Sequence, residues 1–273
     1  ITTFFLFLLV RRFFDWRVAS LSALFLNLLP SFLFRSLGGS SDHDALGIMF
    51  FIMTIYFYIT GFQSRSWKNN ILLGLIAGLL TVFGRETAGL TNFLFLIISI
   101  TLIIEALFDK LTNQDYLTFI GWVFPILIYV VLFGNLGGFR ALVTSITTAP
   151  LLLVALLVFL TLTFKKYKEK KPNSLLSKKL LKEPYEPGLL FLYSIIIASI
   201  IGFFYLGFDF LLNIPSRIIE VLANFTSNRW VTTVAENHIA YVTDLFGQMG
   251  RTYVYLFLSG SILLFFKATK TLE

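Results

Sequence analysis

The chain has 273 residues, of which 57% are apolar, 17% aromatic and 14% charged. Soluble domains carry roughly 25% charged residues, so this composition excludes a soluble, disordered or fibrous protein. The apolar residues fall in long blocks, which is the pattern of a polytopic membrane protein. Because the chain has no cysteine, disulfides, thiolate metal ligands and a cysteine nucleophile are also excluded.

Nine apolar stretches are candidates for transmembrane helices, each of which needs about 20 residues. The fold class is therefore predicted to be all-α, a polytopic transmembrane bundle of about nine helices. The stretch at 71–83 is short, so we expect it to tilt little, to extend into its polar flanks or to enter the membrane obliquely. The nine stretches lie at 1–10, 18–34, 45–62, 71–83, 88–108, 117–133, 150–164, 189–212 and 252–266.

Basic residues divide the loops between two faces. If every stretch crosses the membrane, one face receives all the lysines, together with Arg11, Arg12, Arg17 and Arg65. Since lysine and arginine favour the cytoplasmic side, this face is predicted to be cytoplasmic, and it includes a basic loop at 165–187. The net charge of +7 therefore reflects topology, with contact to anionic lipid as the alternative, and does not indicate nucleic-acid binding.

Acidic residues collect in the loops of the other face, in an acidic loop at 35–45 and a long loop at 213–251. Asp42 and Asp44 are two positions apart, so an extended segment would direct both carboxylates to the same side. Two close carboxylates repel unless a cation lies between them, and oxygen ligands suit Mg²⁺ or Mn²⁺. The alternative is a solvated loop followed by acids that complement a helix N-terminus.

Further polar residues of this outer face are candidates for binding. Glu236 could complete a set of carboxylates, or it could be an interfacial acid paired with a nearby arginine. Arg35, Arg85 and Arg251 lie where a lipid head group would lie, and arginine binds phosphate oxygens with a forked geometry; anchoring at the membrane edge is the alternative. Gly84, at the end of its apolar stretch, is expected to form a turn.

Two of these segments resemble motifs of one family. Segment 35–44 (RSLGGSSDHD), which is followed by a new apolar stretch, resembles the second acidic motif of oligosaccharyltransferase catalytic subunits. Segment 233–237 (TVAEN) resembles the Ser/Thr-x-x-Glu motif of the fifth outer loop of that family, and segment 244–250 is most similar to archaeal members. The two motifs occur in order on the same predicted face, and the resemblance covers most of the chain.

The resemblance implies a membrane-embedded glycosyltransferase of the C type. Such an enzyme transfers a glycan from a polyprenyl (in archaea, dolichyl) phosphate or pyrophosphate to the Asn of Asn-x-Ser/Thr sequons, which is protein N-glycosylation. By the resemblance, Asp42, Asp44 and Glu236 are catalytic and bind a divalent cation, Mn²⁺ or Mg²⁺. The residues expected to bind substrate are Arg35, Thr233, Arg85 and Arg251.

The implied partners are a lipid-linked oligosaccharide, an acceptor protein or peptide with a sequon, and membrane lipid. The implied location is the plasma membrane of an archaeon or another prokaryote, as a multi-pass protein with its active face outward. Residues 1–273 are expected to be part of the transmembrane catalytic domain, truncated at both ends, because the first acidic motif of the family and its soluble C-terminal domain have no counterpart here. The chain alone is therefore expected to be inactive.

Two other classes of function stay open at this point. A different C-type glycosyltransferase that uses a polyprenyl-phosphate sugar would share the acidic outer loops. A transporter would place ionisable groups at the membrane midplane and would show internal repeats. The acidic residues here collect at one rim, which favours the transferase.

Overall fold

The computed structural model describes residues 1–29, 32–33, 36, 44–108, 110–133, 148–170, 186–206 and 251–270. Within these ranges every regular element is a helix, which confirms the all-α transmembrane bundle predicted from the apolar stretches. The helices are α1 Thr2–Arg11, α2 Trp16–Leu28, α3 Asp44–Phe62, α4 Trp67–Thr87, α5 Asn92–Leu107, α6 Asn113–Phe133, α7 Ala149–Lys170, α8 Glu186–Leu206 and α9 Arg251–Lys270, and a short 3₁₀ helix, Gly89–Thr91, precedes α5.

Four helical segments in the described part of the chain are long and apolar enough to cross a membrane. They are Ala45–Phe62, Trp67–Thr87, Gly89–Leu107 and Asn113–Phe133. Four further apolar helical segments are shorter, namely Thr2–Arg11, Ala149–Phe164, Gly188–Phe204 and Val254–Leu263.

The helix boundaries decide between the alternatives for one stretch and correct two other sequence predictions. The short stretch at 71–83 extends into its polar flanks and forms the 21-residue helix α4. The stretch predicted at 18–34 is interrupted, because α2 ends at Leu28 and Leu29 has the extended backbone that a residue before proline prefers. Helix α7 continues to Lys170, so the first residues of the predicted basic loop are helical, which lysine tolerates well.

The chain divides into two compact units, one formed by Ile1–Ala45 with Ile219–Glu273 and one formed by Leu46–Ile218. In the first unit, α1 and α2 form a helical hairpin. The Asp15 carboxylate caps α2 by accepting a hydrogen bond from the Val18 amide at 3.0 Å. At the open end of the hairpin, the Thr3 hydroxyl lies 2.9 Å from Asn27 Oδ1 and donates to it.

In the second unit, α4 and α6 pack along each other through glycines. Gly74 and Gly78 form a Gly-x-x-x-Gly pattern, which allows the backbones of membrane helices to approach closely. A Cβ atom at Gly78 would collide with the Trp122 carbonyl oxygen, and one at Gly121 would lie 2.7 Å from the Ile71 carbonyl oxygen. These glycines are therefore required by the helix–helix contact.

The core of the second unit is centred on Trp122 of α6, which is fully buried. Its ring lies 5.8 Å from that of Tyr58 and 5.7 Å from that of Phe95, measured between centroids. Its indole Nε1 donates to the Thr81 hydroxyl at 2.8 Å, so the polar atom of the buried tryptophan is satisfied. One continuous apolar cluster thereby joins α3 through α8.

Candidate functional site

The last turn of α4 carries a charged pair, Arg85 and Glu86, beside the short 3₁₀ helix. Arg85 Nη1 donates to Asn92 Oδ1 at the start of α5. The Tyr129 hydroxyl, on the last two turns of α6, donates to Glu86 Oε1 at 2.6 Å. These two contacts gather the end of α4, the start of α5 and the end of α6 at one end of the helices.

Gly84 holds this end together by close packing. It is helical and buried, so the prediction that it forms a turn is wrong. A Cβ atom there would lie 2.6 Å from the Thr91 methyl group and 2.9 Å from Phe50 Cβ. The absence of a side chain at Gly84 therefore allows α3, α4 and the 3₁₀ helix to meet just before Arg85.

The first turns of α3 reach the same place. A Cβ atom at Gly47 would collide with Cβ of Ala88, the residue between α4 and the 3₁₀ helix. The Phe50 and Phe83 rings are also in contact, with centroids 6.3 Å apart. Asp44 is the first residue of α3, one helical turn before Gly47.

Arg85 is suited to bind an anion. Its guanidinium is only partly exposed, and the group that it contacts, the Asn92 side chain, is a neutral amide. This contact orients the guanidinium without cancelling its charge, and a guanidinium has further N–H donors for a second acceptor. A phosphate oxygen is an acceptor that arginine binds well.

The other predicted site residues are described in part or not at all. Arg35, Asp42, Thr233 and Glu236 lie outside the described residues. Of the two remaining residues, Asp44 begins α3 and Arg251 begins α9, and only their backbone positions are described. Across the ranges that the structure does cover, no group of three or more His, Cys, Asp or Glu side chains could hold a metal ion. The metal site thus stays a prediction.

Sequence reasoning missed Asn92 and Tyr129, which position the Arg85–Glu86 pair. Asn92 is a polar residue inside the apolar stretch predicted at 88–108, and a polar side chain in such a stretch indicates a contact within the protein. Tyr129 lies within an apolar run, so nothing in the sequence distinguishes it from a residue that faces lipid. Its contact with Glu86 is apparent only from the packing of α4 against α6.

One family of known proteins matches this chain over most of its length. The family described as Oligosaccharyl transferase STT3, N-terminal, matches residues 1–224. The chain belongs to this family. A comparison with curated proteins gave no match.

Membership of the STT3 family establishes the general function. The STT3 family is a family of glycosyltransferases, the oligosaccharyltransferases of protein N-glycosylation, and its substrates are a lipid-linked oligosaccharide and an acceptor protein. Together with the four segments that could cross a membrane, membership identifies the chain as an integral membrane protein. Arg85 and Asp44 lie inside the matched range, whereas Thr233, Glu236 and Arg251 lie beyond it.

Proposed function

We propose that this STT3-family chain transfers a glycan from a polyprenyl phosphate or pyrophosphate, dolichyl in an archaeal host, to the asparagine of Asn-x-Ser/Thr sequons. The family match over residues 1–224 is the observation that carries this proposal. The outward face of a prokaryotic plasma membrane is the proposed location, because the loops with the acidic motifs are predicted to lie on the face without lysine.

The acidic loop, the long outer loop and Arg85 are predicted to share one face of the membrane, which would allow them to form one site. Helix α2 precedes the acidic loop and α9 follows the long loop, and both helices belong to the same compact unit. This arrangement supports a shared site for Asp42, Asp44 and Glu236.

The donor chemistry of this set fits a hard divalent cation. Three carboxylates offer oxygen ligands alone, which suits Mg²⁺ or Mn²⁺ and disfavours softer metals. Asp42, Asp44 and Glu236 would hold the ion, which would supply positive charge next to the leaving phosphate when it is bound.

The remaining residues would bind and orient the two substrates. Arg85, held by Asn92, would donate to a phosphate oxygen of the lipid carrier, and Arg35 and Arg251 would add positive charge at the same head group. Glu236 and Thr233 would accept from and donate to the acceptor peptide. An asparagine amide is a poor nucleophile, so orientation by these groups is needed for attack on the sugar carbon.

The test is glycan transfer from a lipid-linked glycan to a sequon peptide by the natural full-length protein. We expect Asp42→Ala and Glu236→Ala to reduce kcat by at least about a hundredfold, because each removes a charged group that acts in the transition state. A chelator should also abolish transfer, and Mn²⁺ or Mg²⁺ should restore it. Mass spectrometry should locate the glycan on the asparagine.

Asp15→Asn is the matched control, since asparagine also caps a helix and Asp15 belongs to the α1–α2 hairpin. Its transfer rate should equal that of the unmodified protein. Unchanged turnover in folded Asp42→Ala and Glu236→Ala variants would disprove the metal site. Transfer to serine or threonine hydroxyls instead of asparagine would identify a different transferase.

A further inference from the structure

Arg85 and Glu86 carry opposite charges at adjacent positions in the last turn of α4. Their Cα atoms are about 3.8 Å apart, and both side chains are long and flexible enough for the two charged groups to approach each other. A carboxylate close to the guanidinium would weaken the attraction of Arg85 for an anion. Anion binding at this site therefore depends on where the Glu86 carboxylate is held.

The structure holds the two charged groups by separate contacts with neutral partners. Arg85 Nη1 donates to Oδ1 of Asn92, the first residue of α5. Glu86 Oε1 accepts from the Tyr129 hydroxyl of α6 at 2.6 Å. Adjacent residues of a helix point about 100° apart, so the two contacts direct the opposite charges towards two different helices.

Tyr129 is itself fixed in place by its surroundings. Its ring stacks on that of Phe133, one helical turn later, with the centroids 5.2 Å apart. Its helix lies close against α4, because a Cβ atom at Gly74 would lie only 3.1 Å from Gly121 Cα. The hydroxyl that binds Glu86 is therefore presented by a helix that is packed against α4.

A purely structural link between α4 and α6 is the alternative explanation of this hydrogen bond. Such a link does not need a charge, because Trp122 and Thr81 join the same two helices through neutral groups at 2.8 Å. Glu86 is exposed, and its negative charge lies next to the guanidinium that is suited to bind a phosphate. The contact with Tyr129 fixes that negative charge on the side of α6.

We propose that Tyr129 is a positioning residue for the lipid-linked donor, since its hydroxyl holds the Glu86 carboxylate at α6 and so keeps the Arg85 guanidinium available for a phosphate oxygen. Tyr129 acts through Glu86 and does not touch the donor. This inference rests on the proposed role of Arg85 in binding the donor phosphate, and it adds a residue of α6 to that role.

The charges predict opposite effects of two substitutions in the same hydrogen bond. Tyr129→Phe keeps the stacked ring but releases the carboxylate towards the guanidinium, so the phosphate is bound more weakly. Glu86→Gln keeps an oxygen that accepts from the Tyr129 hydroxyl and removes the negative charge, so binding is unchanged or tighter. The double variant has no carboxylate to release, and its affinity should return at least to that of the unmodified protein.

The experiment measures binding of farnesyl phosphate, a short polyprenyl phosphate without a sugar, to the natural full-length protein in detergent by isothermal titration calorimetry. Farnesol, which lacks the phosphate, measures the contribution of the hydrocarbon chain. We expect Tyr129→Phe to raise the Kd for farnesyl phosphate about threefold to tenfold, since water partly screens the released charge. The increase should shrink in about 1 M salt, where the Debye length is about 3 Å.

Two further variants calibrate this result. Arg85→Ala should weaken binding at least as much as Tyr129→Phe does. Thr3→Val is the matched control, because it also removes a hydroxyl that donates between two helices, in this case to Asn27 Oδ1 at 2.9 Å, and neither partner is charged. The Kd of Thr3→Val should equal that of the unmodified protein.

Glu86→Asp tests the same inference if Tyr129→Phe does not fold. Its carboxylate is one methylene group shorter, so it loses the contact with Tyr129 and keeps its negative charge beside the guanidinium. We expect Glu86→Asp to weaken binding of farnesyl phosphate, in contrast to Glu86→Gln.

Three results would overturn the proposal. They are an unchanged Kd in both Tyr129→Phe and Glu86→Asp, a double variant that binds as weakly as Tyr129→Phe, and an unchanged Kd in Arg85→Ala. Binding is measured without glycan transfer, so the two proposals can fail separately. The expected binding pattern without transfer to asparagine would contradict the proposed function alone, and transfer to asparagine with an unchanged Kd in Tyr129→Phe and Glu86→Asp would contradict this inference alone.

Discussion

At the scale of single residues, the neutral contact of Arg85 is the observation that supports its proposed role in binding an anion. Arg85 is the predicted site residue whose side chain the structure describes, and it donates to the Asn92 amide oxygen rather than to a carboxylate. Glu86, the adjacent acid, accepts from Tyr129. Because Arg85 and Glu86 contact different neutral partners, the guanidinium is oriented by Asn92 while its charge is available to bind an anion.

Arg85→Ala is therefore expected to raise the KM for the lipid-linked donor by about tenfold or more, because a charge-assisted hydrogen bond to phosphate is lost. The KM for the acceptor peptide should stay the same. Steady-state kinetics of the full-length protein with each substrate varied in turn measures this difference.

Arg17→Ala is the matched control, because Arg17 lies 5.8 Å from the centre of the Trp16 ring at the start of α2, on the predicted cytoplasmic face. It should leave both KM values unchanged. An equal change of the two KM values in Arg85→Ala would contradict a specific contact with the donor.

At the scale of elements, the packing of α4 on α6 depends on the absence of side chains. Gly78 faces the backbone carbonyl of Trp122, and Gly74 faces that of Thr118. Backbone atoms cannot move aside as a flexible side chain can, so an added methyl group must separate the two helices. The same two helices carry Glu86 and Tyr129, so separation would also disturb the candidate site.

Gly78→Ala should lower the free energy of unfolding by about 1–3 kcal/mol, because it overpacks this helix interface. Gly188→Ala is the same substitution in a helix where a Cβ atom meets no described atom within 4 Å, and it should leave stability unchanged or slightly higher. Reversible unfolding in mixed detergent measures both. Equal stability of the two variants would contradict the close α4–α6 contact.

At the scale of the whole molecule, function depends on which ends of the helices share a face of the membrane. The basic residues predict that the α3–α4 linker is cytoplasmic and that the 3₁₀ helix after α4 is on the outer face. Helix α4 joins these two places and is long enough to cross. The proposed site requires the Arg85 end of α4 to face outward.

This sidedness can be tested by single-cysteine labelling, since the chain has no cysteine of its own. Gln63 and Gly89 are exposed and lie at the two ends of α4. A membrane-impermeant maleimide should label Gly89→Cys in intact cells, and it should label Gln63→Cys only after the membrane is permeabilised. Labelling of both cysteines from outside would exclude the proposed topology.

The sequence predicted where most helices lie in the chain, but it did not predict which helices contact each other. The stretch at 45–62 corresponds closely to α3, because a run of apolar residues is a local property that lipid selects directly. The boundary at 18–34 was wrong because α2 ends before a proline, whereas the stretch at 71–83 extends into its polar flanks, which was one of the expected outcomes. Arg85 was predicted from its type and position, but its partner Asn92 and the neighbouring Glu86–Tyr129 contact were not.

The amino-acid sequence by itself determined that this protein is a helical membrane protein, because the bilayer imposes its requirements of length and composition on each segment separately. Only the tertiary structure decided that Tyr129 meets Glu86 and that Trp122 donates to Thr81. In a membrane protein, residues that face lipid and residues that face other helices are equally apolar, so composition does not reveal which sides of the helices pack together.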